Sequence, residues 1–591
     1  MTMSAVLSGT AAGGPLFDTD VLRKARGAFF TPDPLCDYIA AWAIRTAGDT
    51  VLEPSCGEAA FLLAAARRLD RLGASRPADQ LHGVELHAAS SRTADQLVRA
   101  AGRVATITTA DFFDLPPQRR FSAVIGNPPY VRYQDFSGER RAKARRTALA
   151  AGVPLTGLAS SWAAFTVHAA EFVQAGGRLG LVLPAELLSV NYAAEVRRYL
   201  MERFGRVRLV LFTERVFPGV QEKVILLLAE DALAAGGTLQ CELHQVRNAT
   251  DLASAPGPDA LTAGYRWTPR PTHGKWTQAL LSETALEAYA AVEKHAHFTT
   301  LASWGQTTLG MVTGNNRYFA LSADRIAEWE IAEHELLPLS PPGSRHLRGL
   351  SLAKSAWTKL DVGGAATWLF RPPSDLSDCS PGARAYIKHG QGIGVPKAYK
   401  CRVRTPWWRV PLVPPADLLL TYMNADTPRL TTNRAHCHHL NSVHGVYLRP
   451  GRRRIGADLL PLASLNTMTL LGAETVGRAY GGGMLKLEPR EADLLPVPSP
   501  DVLAACRDAL TVLRPQIALA LRSSRITEAA RLVDGVLLIG ALGMSASQVT
   551  ALECAHRELT ARRMAGSSTR VHEALPLSED SSRGAANAQP F

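Results

Sequence analysis

Val51-Leu52-Glu53-Pro54-Ser55-Cys56-Gly57-Glu58-Ala59-Ala60-Phe61-Leu62 reads as the end of a β-strand, a tight turn at Gly57 and the first turn of a helix. Such a junction aims backbone N–H groups and the positive end of a helix at a ligand, on the edge where open α/β sheets take their cofactors. One glycine turn is weak evidence alone, because many nucleotide folds share it. The surrounding pattern carries more. Strand-like runs at 49–53, 81–86, 104–109, 123–126, 179–184, 207–212 and 224–229 alternate with helical periods at 60–72, 88–101, 161–174 and 193–204. Strands alternating with helices of about 10–15 residues predict a doubly wound, Rossmann-like α/β sheet.

The strand ends carry chemistry in series. Gly83-Val84-Glu85-Leu86 places an acid where it can accept from two ribose hydroxyls. Ala110-Asp111-Phe112 closes the third strand with an acid and an aromatic suited to an adenine amino group and ring. Singly, Glu85 or Asp111 reads as an ordinary surface acid; one acid after each of three successive strands reads as a nucleoside site. The fourth strand runs into Ile125-Gly126-Asn127-Pro128-Pro129-Tyr130. Two consecutive prolines fix the backbone and remove two N–H donors, leaving carbonyl oxygens directed into the cleft. The Asn127 amide oxygen and the Pro128 carbonyl can then accept both hydrogens of one planar amino group, while Tyr130 offers a face for a ring. Methylation of an aromatic amine needs this arrangement, since the nitrogen lone pair is otherwise delocalised and no strong base is required once it is drawn out.

In this order the motifs resemble the gamma-class DNA adenine-N6 methyltransferases of restriction–modification type, whose catalytic motif is NPPY. Gly27-Ala28-Phe29-Phe30-Thr31-Pro32 is similar to the family's first motif, and Val216-Phe217-Pro218 to the segment whose phenylalanine stacks on the flipped base. The resemblance implies S-adenosyl-L-methionine as cofactor, with Thr31, Pro32, Glu53, Gly57, Glu85, Asp111 and Phe112 in its binding. It implies Asn127, Pro128, Pro129, Tyr130 and Phe217 at the target adenine, base flipping from double-stranded DNA, and no metal. Ala59 departs from the family by standing where many members have a second glycine, and an alanine there fits a negative φ.

The resemblance extends over roughly residues 20–565, more loosely through 311–319, 399–408 and 477–486, which look like target-recognition segments. The expected plan is a catalytic domain at 1–265, an irregular mixed α/β target-recognition domain at 266–500, a C-terminal helical segment at 501–565 and a disordered tail at 566–591. A Pro- and Gly-rich stretch at 254–275 reads as a linker. Only 26 residues precede Gly27, so a partner nuclease or other phage-defence subunit is expected on a separate chain, and this one as a monomer.

Composition sets the remaining bounds. The chain has 591 residues, 46% hydrophobic and 20% charged, which excludes wholesale disorder and fibrous repeats. No apolar run reaches the roughly 18 residues of a membrane span, no signal peptide is legible, and eight cysteines without a CxxC pair suit a reducing cytoplasm. A soluble, cytoplasmic protein without a membrane partner is expected. His436-Cys437-His438-His439 with His444 lacks a second ligand pair at productive spacing and reads as a polar loop rather than a metal site.

The net charge of +12 is localised: residues 340–460 hold 18 Lys and Arg against 6 Asp, leaving 47 basic and 47 acidic residues elsewhere. The same segment carries Trp357, Trp368, Trp407, Trp408, Tyr386, Tyr399 and Tyr422, and cations interleaved with aromatics suit phosphates and bases. Arg345, Lys397, Lys400, Arg402, Arg404 and Trp407 are the candidate DNA contacts. The basic run 139–146 reads either as a DNA clamp or as an exposed helix. Two other functions compete: an RNA or protein amino-group methyltransferase, which the long basic extension disfavours, and a non-catalytic DNA-binding subunit, which the intact NPPY loop disfavours.

Overall fold

A computed structural model describes residues 31–565 except 76–78, 132, 213, 215, 217–223, 234, 255–264, 270–274 and 295–296. Gly27–Phe30, Phe217, most of the expected linker and the tail after Ala565 lie outside the described residues. The chain divides into two compact units, Met1–Ala279 and Leu280–Phe591.

The first unit is built on one nine-stranded sheet. Its strands are β1 (Val51–Glu53), β2 (Leu81–Glu85), β3 (Ala105–Thr109), β4 (Phe121–Gly126), β5 (Val173–Pro184), β6 (Phe204–Phe212), β7 (Val224–Ala232), β8 (Cys241–Val246) and β9 (Tyr265–Trp267). They lie in the order β3-β2-β1-β4-β5-β7-β6-β8-β9. The first five are parallel, and β7 enters antiparallel between β5 and β6. Helices α1 (Asp33–Ala43), α2 (Ala60–Arg71), α3 (Ala88–Ala100), α4 (Gly138–Ala150), α5 (Ser161–Glu171) and α6 (Ala194–Arg203) complete the wound pattern. Leu35, Ile39 and Trp42 of α1 pack with Phe61, Leu62 and Leu69 of α2 in one core. Residues Ser161 to Ala170 of α5 are buried on every side, as its apolar composition all round requires.

The doubly wound α/β sheet is the fold read from the sequence, but the sequence pattern does not single out α1, β8 or β9, β9 lies in the stretch read as a linker, and β5 differs locally. Strand β5 starts at Val173 rather than Leu179, and α5 stops at Glu171. Gly176 takes φ +72°, and a Cβ on Gly177 would lie 2.9 Å from the Ser122 carbonyl oxygen. The paired register slips between Phe121 and Ala123. Two glycines thus permit a bulge, and in the sequence the same pair looks like a turn.

Beyond β5 the sheet is joined by charge. Arg206 of β6 opposes Glu230 of β7, Arg208 opposes Glu242 of β8, and Glu242 opposes Arg266 of β9. The ion pairs run Arg178–Glu230 at 3.4 Å, Arg206–Glu242 at 2.8 Å and Arg208–Glu242 at 3.1 Å, with the Arg208 side chain only 3% exposed. Since β9 pairs with β8 and Trp276 N–H donates to Leu188 O, the first unit continues past residue 265 to Ala279.

The second unit has smaller sheets. Strand β10 (Gly305–Leu309) pairs with β14 (Val443–Leu448), which continues to β11 (Leu418–Thr421) and β13 (Leu430–Thr432). Strand β12 (Met423–Asn424) pairs with β16 (Met484–Lys486), flanked by β15 (Arg478–Tyr480). The helices of residues 500–565 do not stand apart: Leu503, Leu510, Ile517, Leu521 and Val533 share a core with Leu418, Val446 and Leu460. Cys437, His439 and His444 are likewise interior, at most 1% exposed, so the segment from Cys437 on is packed core rather than a polar loop, and only His436 faces outward. His438 Nδ1 lies 2.8 Å from Val413 O and His444 Nε2 2.7 Å from Leu487 O. No helix among the described residues is long and apolar enough to cross a membrane.

Candidate active site

The order β3-β2-β1-β4 sets four loop ends side by side at the carboxyl edge, the position at which parallel sheets bind ligands. The turn after β1 is left-handed at both Gly57 (φ +49°) and Ala59 (φ +67°). The negative φ expected at Ala59 is therefore corrected. The residue is fully buried and starts α2 from the αL region, where an L side chain is strained by roughly 1–2 kcal/mol. A Cβ on Gly57 would meet nothing within 4 Å, so the turn leaves space on its ligand side.

Glu85 at the end of β2 accepts from Gly57 N–H at 2.9 Å and from His87 N–H at 2.9 Å. A carboxylate has about four lone-pair sites, so capacity remains for a vicinal diol. Leu86 follows at 45% exposure, an apolar surface beside that acid which the sequence reading passed over. Glu53 sits differently from a ligand-touching acid. It is 2% exposed and accepts from Leu62 N–H at 2.9 Å, and burial raises its carboxyl well above the usual range. Its role is to hold the first turn of α2 from behind.

Asp111 accepts from Phe113 N–H at 3.1 Å and pairs with Lys143 of α4 at 3.3 Å; Lys143 also reaches Asp114 at 2.7 Å. Phe112 turns inward, 4% exposed, with its ring centroid 4.9 Å from Phe165 and 4.5 Å from His168. The half-buried neighbour Phe113 remains nearer the surface. The basic run 139–146 lies on α4, where Arg141 and Arg145 donate to the carbonyls of Gly157 and Leu155. With Lys143 paired as well, much of that charge is spent inside the unit.

The Asn127–Tyr130 loop leaves β4 next to the Gly57 turn. Asn127 Nδ2 donates to Thr31 Oγ1 at 3.1 Å, and Asn127 Oδ1 accepts from the Tyr130 hydroxyl at 2.6 Å. The same hydroxyl lies 2.9 Å from Val182 O on β5. The amide plane is therefore fixed at both ends, and Thr31 is placed against the NPPY loop. Ser55 Oγ donates to Asn127 O at 3.3 Å. Ser161 Oγ donates to Pro129 O at 2.5 Å and accepts from Val131 N–H at 2.9 Å. No described residue donates to Pro128 O, which stays an acceptor between two carbonyls that are tied down. Ser161 was not legible as a site residue because a serine at a helix start reads as an ordinary cap. Pro32 caps α1 just beyond Thr31. The left-handed cradle, the two acids and the flanking apolar surface suit an adenosine-containing cofactor.

In the second unit Arg345, Lys397, Lys400 and Arg402 are exposed. Arg404 and Trp407 point inward. Arg404 Nη2 donates to Val312 O at 3.0 Å, and the Trp407 ring lies 5.6 Å from Tyr318. Both side chains therefore pack against the segment 311–319.

Known proteins match both units. The N-6 DNA Methylase family model matches residues 19–244, and the model of the C-terminal domain of the type II methyltransferase M.Eco57I matches residues 273–538. The type II methyltransferase M.XamI of Xanthomonas campestris pv. amaranthicola is 28% identical over 84% of this chain and 90% of its own. M.AccI of Acinetobacter calcoaceticus is 23% identical over 79% and 84%. Among solved structures, the type IIL restriction-modification enzyme MmeI in complex with DNA is 12% identical, with a TM-score of 0.48, over 88% of this chain and 73% of that one. The methylase model falls on the unit that holds the NPPY loop, and together with the type II relatives it supports an adenine-specific DNA methyltransferase of restriction–modification type.

Proposed function

We propose that the chain methylates the N6 amino group of an adenine extruded from duplex DNA, using S-adenosyl-L-methionine held at the Gly57 turn by Glu85 and Asp111. The observation that carries this reading is the pinned pair of acceptors, Asn127 Oδ1 and Pro128 O, at the end of β4. When bound, the cofactor supplies an electrophilic methyl carbon on a sulfonium. Asn127 Oδ1 and Pro128 O accept the two N6 hydrogens, which draws the nitrogen towards a tetrahedral shape and exposes its lone pair. The Tyr130 hydroxyl exchanges its bond to Asn127 for the one to Val182, keeping the ring in place as a stacking face. Thr31 and Ser161 keep the loop from relaxing, so the electrostatic arrangement exists before the base arrives. Extrusion costs a few kcal/mol, offset by stacking on Tyr130. Phe217 is assigned to the opposite face of that base on its motif alone.

Similarity to type II methyltransferases supports a place beside a restriction nuclease. The test is Asn127→Ala: N6-methyladenine in duplex product, measured by mass spectrometry, is expected to vanish while cofactor binding stays within about threefold. Undiminished adenine methylation by this variant would overturn the assignment, as would a wild type that modifies only RNA or protein.

A further inference from the structure

The basic segment 340–460 contains many aromatic rings, and the structure separates them. Trp357 and Tyr386 are buried, and Trp368, Trp407, Trp408, Tyr422 and Tyr447 are at least partly covered. Tyr399 alone among the described aromatics of that segment is exposed, at 59%. It opens the single helical turn Tyr399–Arg402, and Val403, 61% exposed, follows one turn later. Positions i and i+4 share a side of a helix, so ring and aliphatic side chain form one protruding apolar ridge. Cations flank it: Lys400 Nζ lies 5.7 Å from the Tyr399 ring centroid and the Arg402 guanidinium 5.8 Å. No described acid pairs with Lys400 or Arg402.

The root of the ridge is rigid. Cys401, on the opposite side of the same turn, is fully buried, with its Sγ 3.5 Å from Thr313 O. A Cβ on Gly314 would lie 2.9 Å from that sulfur, so the two backbones approach as closely as glycine allows. Arg404 fastens the next residues to Val312 O. An exposed ring on such a support is not explained by packing, because its neighbours in sequence already fill the core.

We propose that Tyr399 and Val403 form a wedge that enters a base step of duplex DNA, with Lys400 and Arg402 on the adjoining phosphates. This rests on the reading of the chain as a DNA methyltransferase. An apolar edge between cations matches the alternation of stacked bases and phosphates, and apolar wedges are a known means of unstacking a step. Unstacking a step weakens the hold on the neighbouring base, so the wedge assists extrusion.

The test compares Tyr399→Ala, Tyr399→Phe and the pair Lys400→Ala/Arg402→Ala in the full chain, with melting temperature as the check on folding. Tyr399→Ala should weaken binding to the methylated-site duplex about tenfold, the order of a lost base–aromatic stack, with an unchanged salt slope. It should also lower the fluorescence of 2-aminopurine placed at the target position, while Tyr399→Phe behaves as wild type. The double cation variant should instead reduce the salt slope by about two. Affinity and fluorescence of Tyr399→Ala within twofold of wild type would overturn the wedge while leaving the methyltransferase intact. A wild type that neither binds nor methylates duplex DNA would overturn both.

Discussion

In the proposed reaction Asn127 is the residue on which the chemistry turns, and its orientation depends on a side chain 96 positions away. Thr31→Val removes the hydroxyl that accepts from Asn127 Nδ2, so turnover should fall about tenfold in single-turnover assays with cofactor affinity changed less. A loss confined to cofactor affinity would place Thr31 at the cofactor alone. Ala59 illustrates strain at the same scale. A residue at φ +67° forgoes roughly 1–2 kcal/mol, and glycine restores part of it while adding freedom to the unfolded chain. Ala59→Gly should therefore raise the melting temperature of the first unit, with a gain of about 0.5–1 kcal/mol by denaturant titration. An equal or lower stability would mean that the methyl group packs well enough to offset its backbone.

At the scale of elements, two charged assemblies tie elements together, one across neighbouring strands and one between a helix and a hairpin. Burial would raise the Glu242 carboxyl, but Arg206 and Arg208 more than offset it and hold it below the usual range. That stabilisation is present above the ordinary value of 4.5 and is lost as pH falls through the lower folded value. Glu242→Ala takes from buried Arg208 the carboxylate 3.1 Å away, and a cost of about 3 kcal/mol is expected in thermal unfolding.

In the second unit Arg563, on the last described helix Ala546–Ala565, pairs with Glu474 at 2.8 Å, both side chains 3% exposed. It also donates to the carbonyls of Asp426 and Gly483, fixing the turn of the β15–β16 hairpin. Arg563→Met should destabilise more than the double variant Arg563→Met/Glu474→Leu, because the single change strands a buried carboxylate. Equal losses would show that the hydrogen bonds to the carbonyls, rather than the charge pair, matter most.

Across the molecule, pH and salt separate structural charge from functional charge. Burial raises the Asp534 carboxyl from 3.8 to about 6, while bonds from Thr467 N–H at 2.9 Å and Thr467 Oγ1 at 2.6 Å oppose the rise. A raised value means that its contribution is complete below pH 3.8 and is lost as pH climbs through about 6. Relative to wild type, Asp534→Asn should gain stability between those limits, by at most about 3 kcal/mol at neutral pH. A constant difference across that window would refute the burial argument. Salt sorts the basic residues in turn: neutralising exposed Lys397 should flatten the salt dependence of DNA affinity, whereas Arg404→Ala should lower the melting point first.

The sequence by itself determined the alternation of strands and helices, the Gly57 turn, the acids at the ends of β2 and β3 and the NPPY loop. These are local facts, set by period, by proline and by glycine, and neighbours along the chain suffice to encode them. Tertiary structure alone decided that Phe112, Arg404 and Trp407 face inward, that Glu53 is buried against the first turn of α2, and that Thr31 and Ser161 lock the NPPY loop. It also buried Cys437, His439 and His444 and left Tyr399 as the one exposed tyrosine, tryptophan or phenylalanine of the basic region. Aromatic and cationic side chains serve a core and a nucleic acid equally well by composition, and only the packing of distant segments fixes which side of the backbone each one takes.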